Sequence, residues 1–280
     1  MLLTLPLTTI TPMRSKPWAT RSMWWNGNYA SSPKMNLKDK FFFYLQYGIG
    51  RISVVMTAPL VWLAVKAAGY RIRHLKAVRK TVQDLMHAHP GPWLICANHL
   101  TFIDSVILAH AMIPAWRYAV DYRRLPWNVP EKTNFSRSLV VRLTCYLTKC
   151  IPITRGGDRE SVGASLAKCA FLLKKGENLM IFPEGTRSRS GRVDTQNFSY
   201  GVGRLFRAIP GCRVMAVYMR GDGQKTWSKF PRFGETFSMT VEECRPETRL
   251  TGLRAQRDCA EQIVRHLSKM ETDYFDQRGK

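Results

Sequence analysis

The chain reads as an α/β protein: a mostly parallel central sheet flanked by helices, with an N-terminal helical membrane-anchoring segment. Three observations predict this. From residue 93 onward, short apolar runs alternate with amphipathic helical stretches, the pattern of strands and crossover helices. Residues 146–182 spell one complete strand–helix–strand unit. Ahead of both lies residues 41–69, the greasiest region of the chain.

Taken in order, residues 1–34 are rich in Thr, Ser, Pro and Trp, and their apolar run lacks a basic leader, which makes a poor signal peptide. They are expected to be disordered, or to lie upstream of a start at Met35. F-F-F-Y-L-Q-Y-G-I-G-R (41–51) and the 18-residue run 52–69 follow. A spanning helix needs ~20 apolar residues, and here Pro59 interrupts the run and Lys66 charges it. With aromatics leading in and R-I-R-H-L-K-A-V-R-K (71–80) leading out, a bent, half-inserted helical pair fits better than a clean span or a buried core hairpin. The membrane-associated segment with its basic flank is therefore placed at 38–80, and the α/β domain at 85–280.

W-L-I-C (93–96) predicts a buried strand, A-N-H-L-T-F-I-D-S (97–105) a turn, and V-I-L-A-H-A-M-I a helix. Y-L-T-K-C-I-P-I-T (146–154) reads as a strand and R-G-G-D (155–158) as a turn. The helix 161–175 keeps Val162, Leu166, Cys169 or Ala170 and Leu173 on one face, and Gly176 stops it. N-L-M-I-F (178–182) is then a strand parallel to the first. V-M-A-V-Y-M (214–219) is another strand, 223–234 a loop, and 253–270 a helix with Leu253, Ile263, Val264, Leu267 and Met270 inward. No repeat or low-complexity tract interrupts this order.

The length, 280 residues, suits one large domain or one with an appendage, and 45% hydrophobic residues allow a real core. The 43 Lys and Arg outnumber the 20 Asp and Glu, leaving +23, a field that favours anionic membranes, nucleic acid or phosphorylated ligands. Seven cysteines, odd in number and scattered without CxxC, argue for reduced thiols facing the cytosol, and against a disulfide framework or zinc site. His87 and His89 look like loop residues rather than metal ligands, and the P-loop pattern is missing.

Three loops that follow strand-like runs hold the candidate chemistry: 99–104, 155–158 and 183–192. Loops at the carboxyl ends of parallel strands gather at one rim, so His99, Asp104, Arg155, Glu184 and Arg187 can share a cleft. A neutral imidazole can take a proton from a hydroxyl while an Asp on its other nitrogen fixes the tautomer. No G-x-S-x-G occurs in the chain, so the nucleophile would be the substrate's own hydroxyl. The plainer alternative is a helix-capping Asp beside a chance His. Arg155 and Arg187 each offer a planar fork for phosphate oxygens, or are surface arginines in a basic protein. Gly185 lets a backbone approach a ligand, or simply turns. Glu184 could orient Arg187, hold an acceptor hydroxyl, or be solvated.

Taken together, these blocks resemble the glycerolipid (lysophospholipid) acyltransferase family. N-H-L-T-F-I-D (98–104) is similar to its N-H-x-x-x-x-D block, I-P-I-T-R (151–155) stands at its Arg-ending second block, and F-P-E-G-T-R-S (182–188) matches its third. The resemblance covers roughly residues 40–245. It implies His99 as catalytic base with Asp104 as its partner. Arg155, Glu184, Gly185, Thr186 and Arg187 would hold the acceptor, the arginines taking its phosphate. It also implies acyl-coenzyme A or acyl-carrier protein as donor co-substrate, no metal or other cofactor, and an N-terminal helical membrane anchor; the +23 charge would dock that anchor on anionic lipid at the cytoplasmic face, the inner membrane if bacterial. The first acceptor choice is 1-acyl-glycerol-3-phosphate. Glycerol-3-phosphate, another lysophospholipid and an amino-acid-linked lyso-lipid stay open, because Lys149, Pro152 and Ala216 depart from the family's second and fourth blocks. Two rivals from other classes are a lipid hydrolase or thioesterase, and a basic module binding nucleic acid through 71–80 and 187–192.

Overall fold

A computed structural model describes residues 35–132, 138–153 and 159–279. The expectation for residues 1–34 lies outside them. Helix α1 (Leu37–Ala67) opens the fold, capped by the Asn36 side chain, which accepts from the Asp39 amide at 2.7 Å. It is one continuous helix, not the expected pair. Pro59 removes a single ladder donor but does not divide it, because packing on both sides of the proline holds the helix together. Its buried residues, Gly50, Val54, Ala58 and Val65, form a narrow seam, while Phe41, Ile52, Met56 and Leu60 are among many exposed apolar side chains.

Strand β1 (Arg71–Ile72) and helix α2 (Leu75–Ala88) come next. Both fall in or near the stretch read as a basic membrane flank, yet β1 pairs with the sheet and α2 buries Val78 and Val82 in the core. His87 sits on the last turn of α2, not in a loop. Strand β2 (Trp93–Ala97) is buried at every position and leads into α3 (Asp104–Met112), as expected. After α4 (Ala115–Val120), a 3-10 turn (Tyr122–Arg124) reaches β3 (Trp127–Asn128).

The run 146–154 departs from expectation. Tyr146 and Leu147 end a helix, α5 (Leu139–Leu147), and Lys149 takes a left-handed turn at φ +54°. Among the described residues of the run, only Cys150 and Ile153 bridge, in parallel, to Asn128 and Glu131. The reason is tertiary: Gln46 of α1 donates to the carbonyls of Tyr146 (3.0 Å) and Cys150 (3.2 Å), holding the helix end against α1. Helix α6 (Arg159–Lys174) and β4 (Leu179–Ile181) complete the crossover. Gly176, at φ +78°, turns the chain, and its amide and that of Glu177 bond back to Leu173 and Leu172.

Helix α7 (Gly201–Ala208), strands β5 (Arg213–Gly221) and β6 (Thr236–Cys244) and helix α8 (Gly252–Arg278) finish the chain. The six strands lie in the order β1-β6-β5-β2-β4-β3. Neighbours are parallel except β5–β6. Strand period two divides the core in two. Leu94, Cys96, Leu179, Ile181, Val214 and Ala216 face α6, α7 and α8. Trp93, Ile95, Ala97, Met180, Met215 and Val217 face α1, α2 and α3. Ile263, Val264, Leu267 and Met270 are buried as expected, but Leu253 stays 42% exposed.

Candidate functional site

The site begins where β2 runs out. Asn98 extends the β2–β5 ladder with its side chain, donating to Met219 O (3.0 Å) and accepting from Met219 N (2.8 Å). The backbone can then leave the sheet without stranding those groups. It turns around Asp104, the first residue of α3. Asp104 Oδ2 accepts from the amides of Leu100 (2.6 Å) and Thr101 (2.8 Å), and Oδ1 accepts from the Thr101 hydroxyl. These donors compensate a carboxylate that is only 2% exposed.

The same Oδ2 lies 3.0 Å from His99 Nδ1. A proton on Nδ1, donated to Asp104, leaves Nε2 as the acceptor nitrogen. Among the described residues Nε2 makes no hydrogen bond, and the His99 side chain keeps 15% exposure. The ring stacks on Phe182, centroids 4.1 Å apart and planes 19° from parallel, so Phe182 on one face and Asp104 at Nδ1 restrict its rotation. The plainer reading, a capping Asp beside a chance His, is half right: Asp104 organises the turn and holds the imidazole with one oxygen.

Parallel pairing of β2 and β4 brings the 182–188 block to the same rim. Two contacts join it to the His99 turn. His99 N donates to Glu184 Oε1 at 3.0 Å, and Ser188 N donates to His99 O at 3.0 Å. Glu184 Oε2 accepts from Asp194 N at 3.4 Å. Glu184 is therefore turned inward and buried, neither solvated nor paired with Arg187. Burial pushes its carboxyl up to about 8, against the pull of the His99 and Asp194 amides, and the charges of Glu271 and Asp194 add to the rise. Gly185 has φ +71°, the left-handed region that a Cβ penalises, and Thr186 is exposed beside it.

Arg187 lies over Phe102 (3.8 Å from guanidinium carbon to ring centroid) and Trp227 (5.1 Å). These two rings restrict the plane of the guanidinium. The structure thus brings His99, Asp104, Glu184, Gly185, Thr186 and Arg187 to one rim. Arg155 lies outside the described residues; Ile153, the last residue before that stretch, runs parallel to β3 toward the same rim. Sequence reasoning missed Phe182, Phe102 and Trp227. Phe182 and Phe102 sit inside the quoted blocks, so proximity could have flagged them. Trp227 arrives from a loop far along the chain, and nothing local signals it.

A polar recess of about 330 Å³, lined by Thr195, Arg257 and Arg265 among others, contains neither member of the pair.

Residues 77–220, about half of the chain, match the family model described as Acyltransferase. Two curated relatives are chloroplastic 1-acyl-sn-glycerol-3-phosphate acyltransferases. The one from Arabidopsis thaliana is 26% identical over 133 residues, 48% of this chain and 33% of the relative. The one from Brassica napus is 27% identical over 133 residues, 48% of this chain and 34% of the relative. The aligned stretch thus spans about a third of each relative's length.

Proposed function

From the premise that this chain belongs to the Acyltransferase family, we propose that it moves a fatty acyl group from a thioester donor to the hydroxyl of 1-acyl-glycerol-3-phosphate at a membrane surface. The observation that carries the reading is the 3.0 Å contact between His99 Nδ1 and Asp104 Oδ2, with Nε2 left as acceptor. Nε2 takes the proton of the acceptor's hydroxyl as its oxygen attacks the thioester carbonyl. Asp104 stabilises the imidazolium, which returns the proton to the departing thiolate. The base contributes roughly 10²–10⁴-fold, and alignment of two bound substrates up to ~7–11 kcal/mol.

Arg187, and Arg155 with it, hold the acceptor's phosphate, while Gly185 and Thr186 line the approach. Glu184 acts through the His99 backbone. The donor is acyl-coenzyme A or acyl-carrier protein, both anionic and suited to a chain of +23. The relatives' printed activity supports 1-acyl-glycerol-3-phosphate as acceptor over glycerol-3-phosphate, other lysophospholipids and amino-acid-linked lyso-lipids.

Membrane attachment is assigned to α1, the one helix among the described residues long and apolar enough to cross a bilayer. It lies along the domain instead of standing off it. Phe43 packs on Trp127 at 5.2 Å, and Val54, Ala58 and Val65 are buried further along. From Phe43 to Val65 the helix stays on the protein for roughly 33 Å, at ~1.5 Å per residue. A crossing helix would drag α3, α4 and α5 into hydrocarbon. An in-plane helix exposes Phe41, Ile52, Met56 and Leu60 to lipid beside Leu139, Val140 and Leu143 of α5. The cytoplasmic leaflet fits its anionic lipids and the reduced cysteines.

The test is an acceptor panel with labelled acyl-coenzyme A and acyl-carrier protein. Transfer to 1-acyl-glycerol-3-phosphate should exceed transfer to every other acceptor offered. Release of free fatty acid with all acceptors would make the protein a hydrolase or thioesterase instead.

A further inference from the structure

Apart from Trp227, whose ring packs on Arg187, the loop between β5 and β6 has no part in the reaction above, yet its composition is pointed. Residues 223–234, G-Q-K-T-W-S-K-F-P-R-F-G, hold Lys225, Lys229 and Arg232 and no acid. Trp227, Phe230 and Phe233 stand 40%, 63% and 82% exposed among these bases. Rings this exposed call for a reason when the backbone beneath them is fixed.

It is fixed at both ends. Phe102 N donates to Lys229 O and Ser228 N to Leu100 O, each at 3.1 Å, pinning the loop to the turn that carries His99. Gly234 N donates to Ala68 O at 2.8 Å and Tyr70 Oη to Pro231 O at 3.3 Å, pinning it to the end of α1. Beneath it, the buried Arg220 donates to the carbonyls of Gln224 (3.0 Å) and Lys225 (3.1 Å). The exposed rings thus stand between the end of α1, itself exposing Trp62 and Leu63, and the turn that carries His99.

We propose that the 223–234 loop docks on an anionic lipid bilayer, its aromatic rings at the headgroup boundary and its bases on lipid phosphates. Aromatic and basic side chains share such a boundary because rings prefer the interfacial depth and cations the anionic surface. An acidic soluble protein would satisfy Lys229 and Arg232 equally, but not exposed rings beside the end of an apolar helix. For the reaction, where this rests on the acyltransferase reading, docking places His99 at the depth of a lyso-lipid hydroxyl.

The experiment uses the full chain carrying Cys145→Ser, since Cys145 is only half-buried whereas the other six cysteines are buried. Phe233→Cys is labelled with a polarity-sensitive fluorophore. Mixed phosphatidylcholine–phosphatidylglycerol vesicles should shift its emission to the blue, and Lys229→Glu with Arg232→Glu should raise the lipid concentration needed at least ~10-fold. A label that stays in water on vesicle-bound protein overturns the proposal. So does a shift given by acyl-carrier protein but not by vesicles. In parallel, Phe230→Ser with Phe233→Ser should lower transfer to vesicle-embedded acceptor ~10-fold and spare a short-chain, water-soluble one; equal loss on both overturns it. A wild-type protein inactive on every acceptor sinks the enzymatic reading alone, because the fluorophore still reports docking.

Discussion

Glu184→Gln tests how the third block holds the base. The carboxyl accepts from His99 N at 3.0 Å and Asp194 N at 3.4 Å while buried, and burial lifts its pKa from 4.5 to about 8. The folded protein therefore holds a proton that the unfolded chain gives up above pH 4.5. Stability from this group is full below that pH and is lost as pH rises to about 8. At ~1.36 kcal/mol per pH unit the whole window has a ceiling of ~4–5 kcal/mol, and residual burial in the unfolded chain brings the expected change to ~2–4 kcal/mol. Glutamine does not titrate. It keeps an acceptor for His99 N but turns an NH2 toward Asp194 N, which costs ~1 kcal/mol at all pH values. Thermal unfolding of both proteins in one detergent, from about pH 5 to about pH 8.5, should show the variant slightly less stable at the acid end and gaining roughly 5–12 °C relative to wild type by the alkaline end. Parallel Tm–pH curves would refute the buried, protonatable Glu184.

Asp104→Asn can keep an oxygen for the Leu100 and Thr101 amides and for His99 Nδ1, but it removes the negative charge that stabilises the imidazolium. Acyl transfer should fall ~10²–10⁴-fold with a destabilisation of only ~1–3 kcal/mol, read from kcat and urea unfolding. Glu177→Gln breaks the buried pair with Lys149, whose ammonium sits 2.7 Å from Glu177 and also donates to the carbonyls of Tyr122 (2.7 Å) and Leu125 (3.0 Å). Those carbonyls soften the loss to ~2–4 kcal/mol, or roughly 5–15 °C in Tm. Burial already lowers Lys149 from 10.5 to about 8 despite Glu177, and loss of Glu177 lowers it further, so the deficit should be greatest in mild acid and shrink as pH rises toward about 8, above which the amine is neutral in both proteins. A deficit that grows with pH would contradict this.

The His99 turn was legible because a buried run, a polar turn and an apolar helix each obey local rules, and the His-to-Asp spacing makes sense only with a bend between them. Helix α6 and its Gly176 stop were legible for the same reason. The run 146–154 was not. Its β-branched and aromatic residues favour a strand, but contact with α1 through Gln46 ends a helix there instead. Strand β6 was missed although T-F-S-M-T-V alternates cleanly, burying Phe237, Met239 and Val241. The direction of Glu184 was illegible: an acid in a basic loop says nothing about which way it faces. Trp227 beside Arg187 is a contact between distant segments, which no local pattern encodes.

The central claim is that the His99 imidazole, oriented by Asp104, takes the proton from a lipid hydroxyl. The measurement is kcat/KM for acyl transfer to 1-acyl-glycerol-3-phosphate by wild type and His99→Ala, alongside Tm and vesicle binding on the same preparations. The account predicts a loss of at least ~10²-fold with lipid binding unchanged and Tm nearly so. A His99→Ala protein that keeps transferring acyl groups within a few-fold of wild type would contradict it.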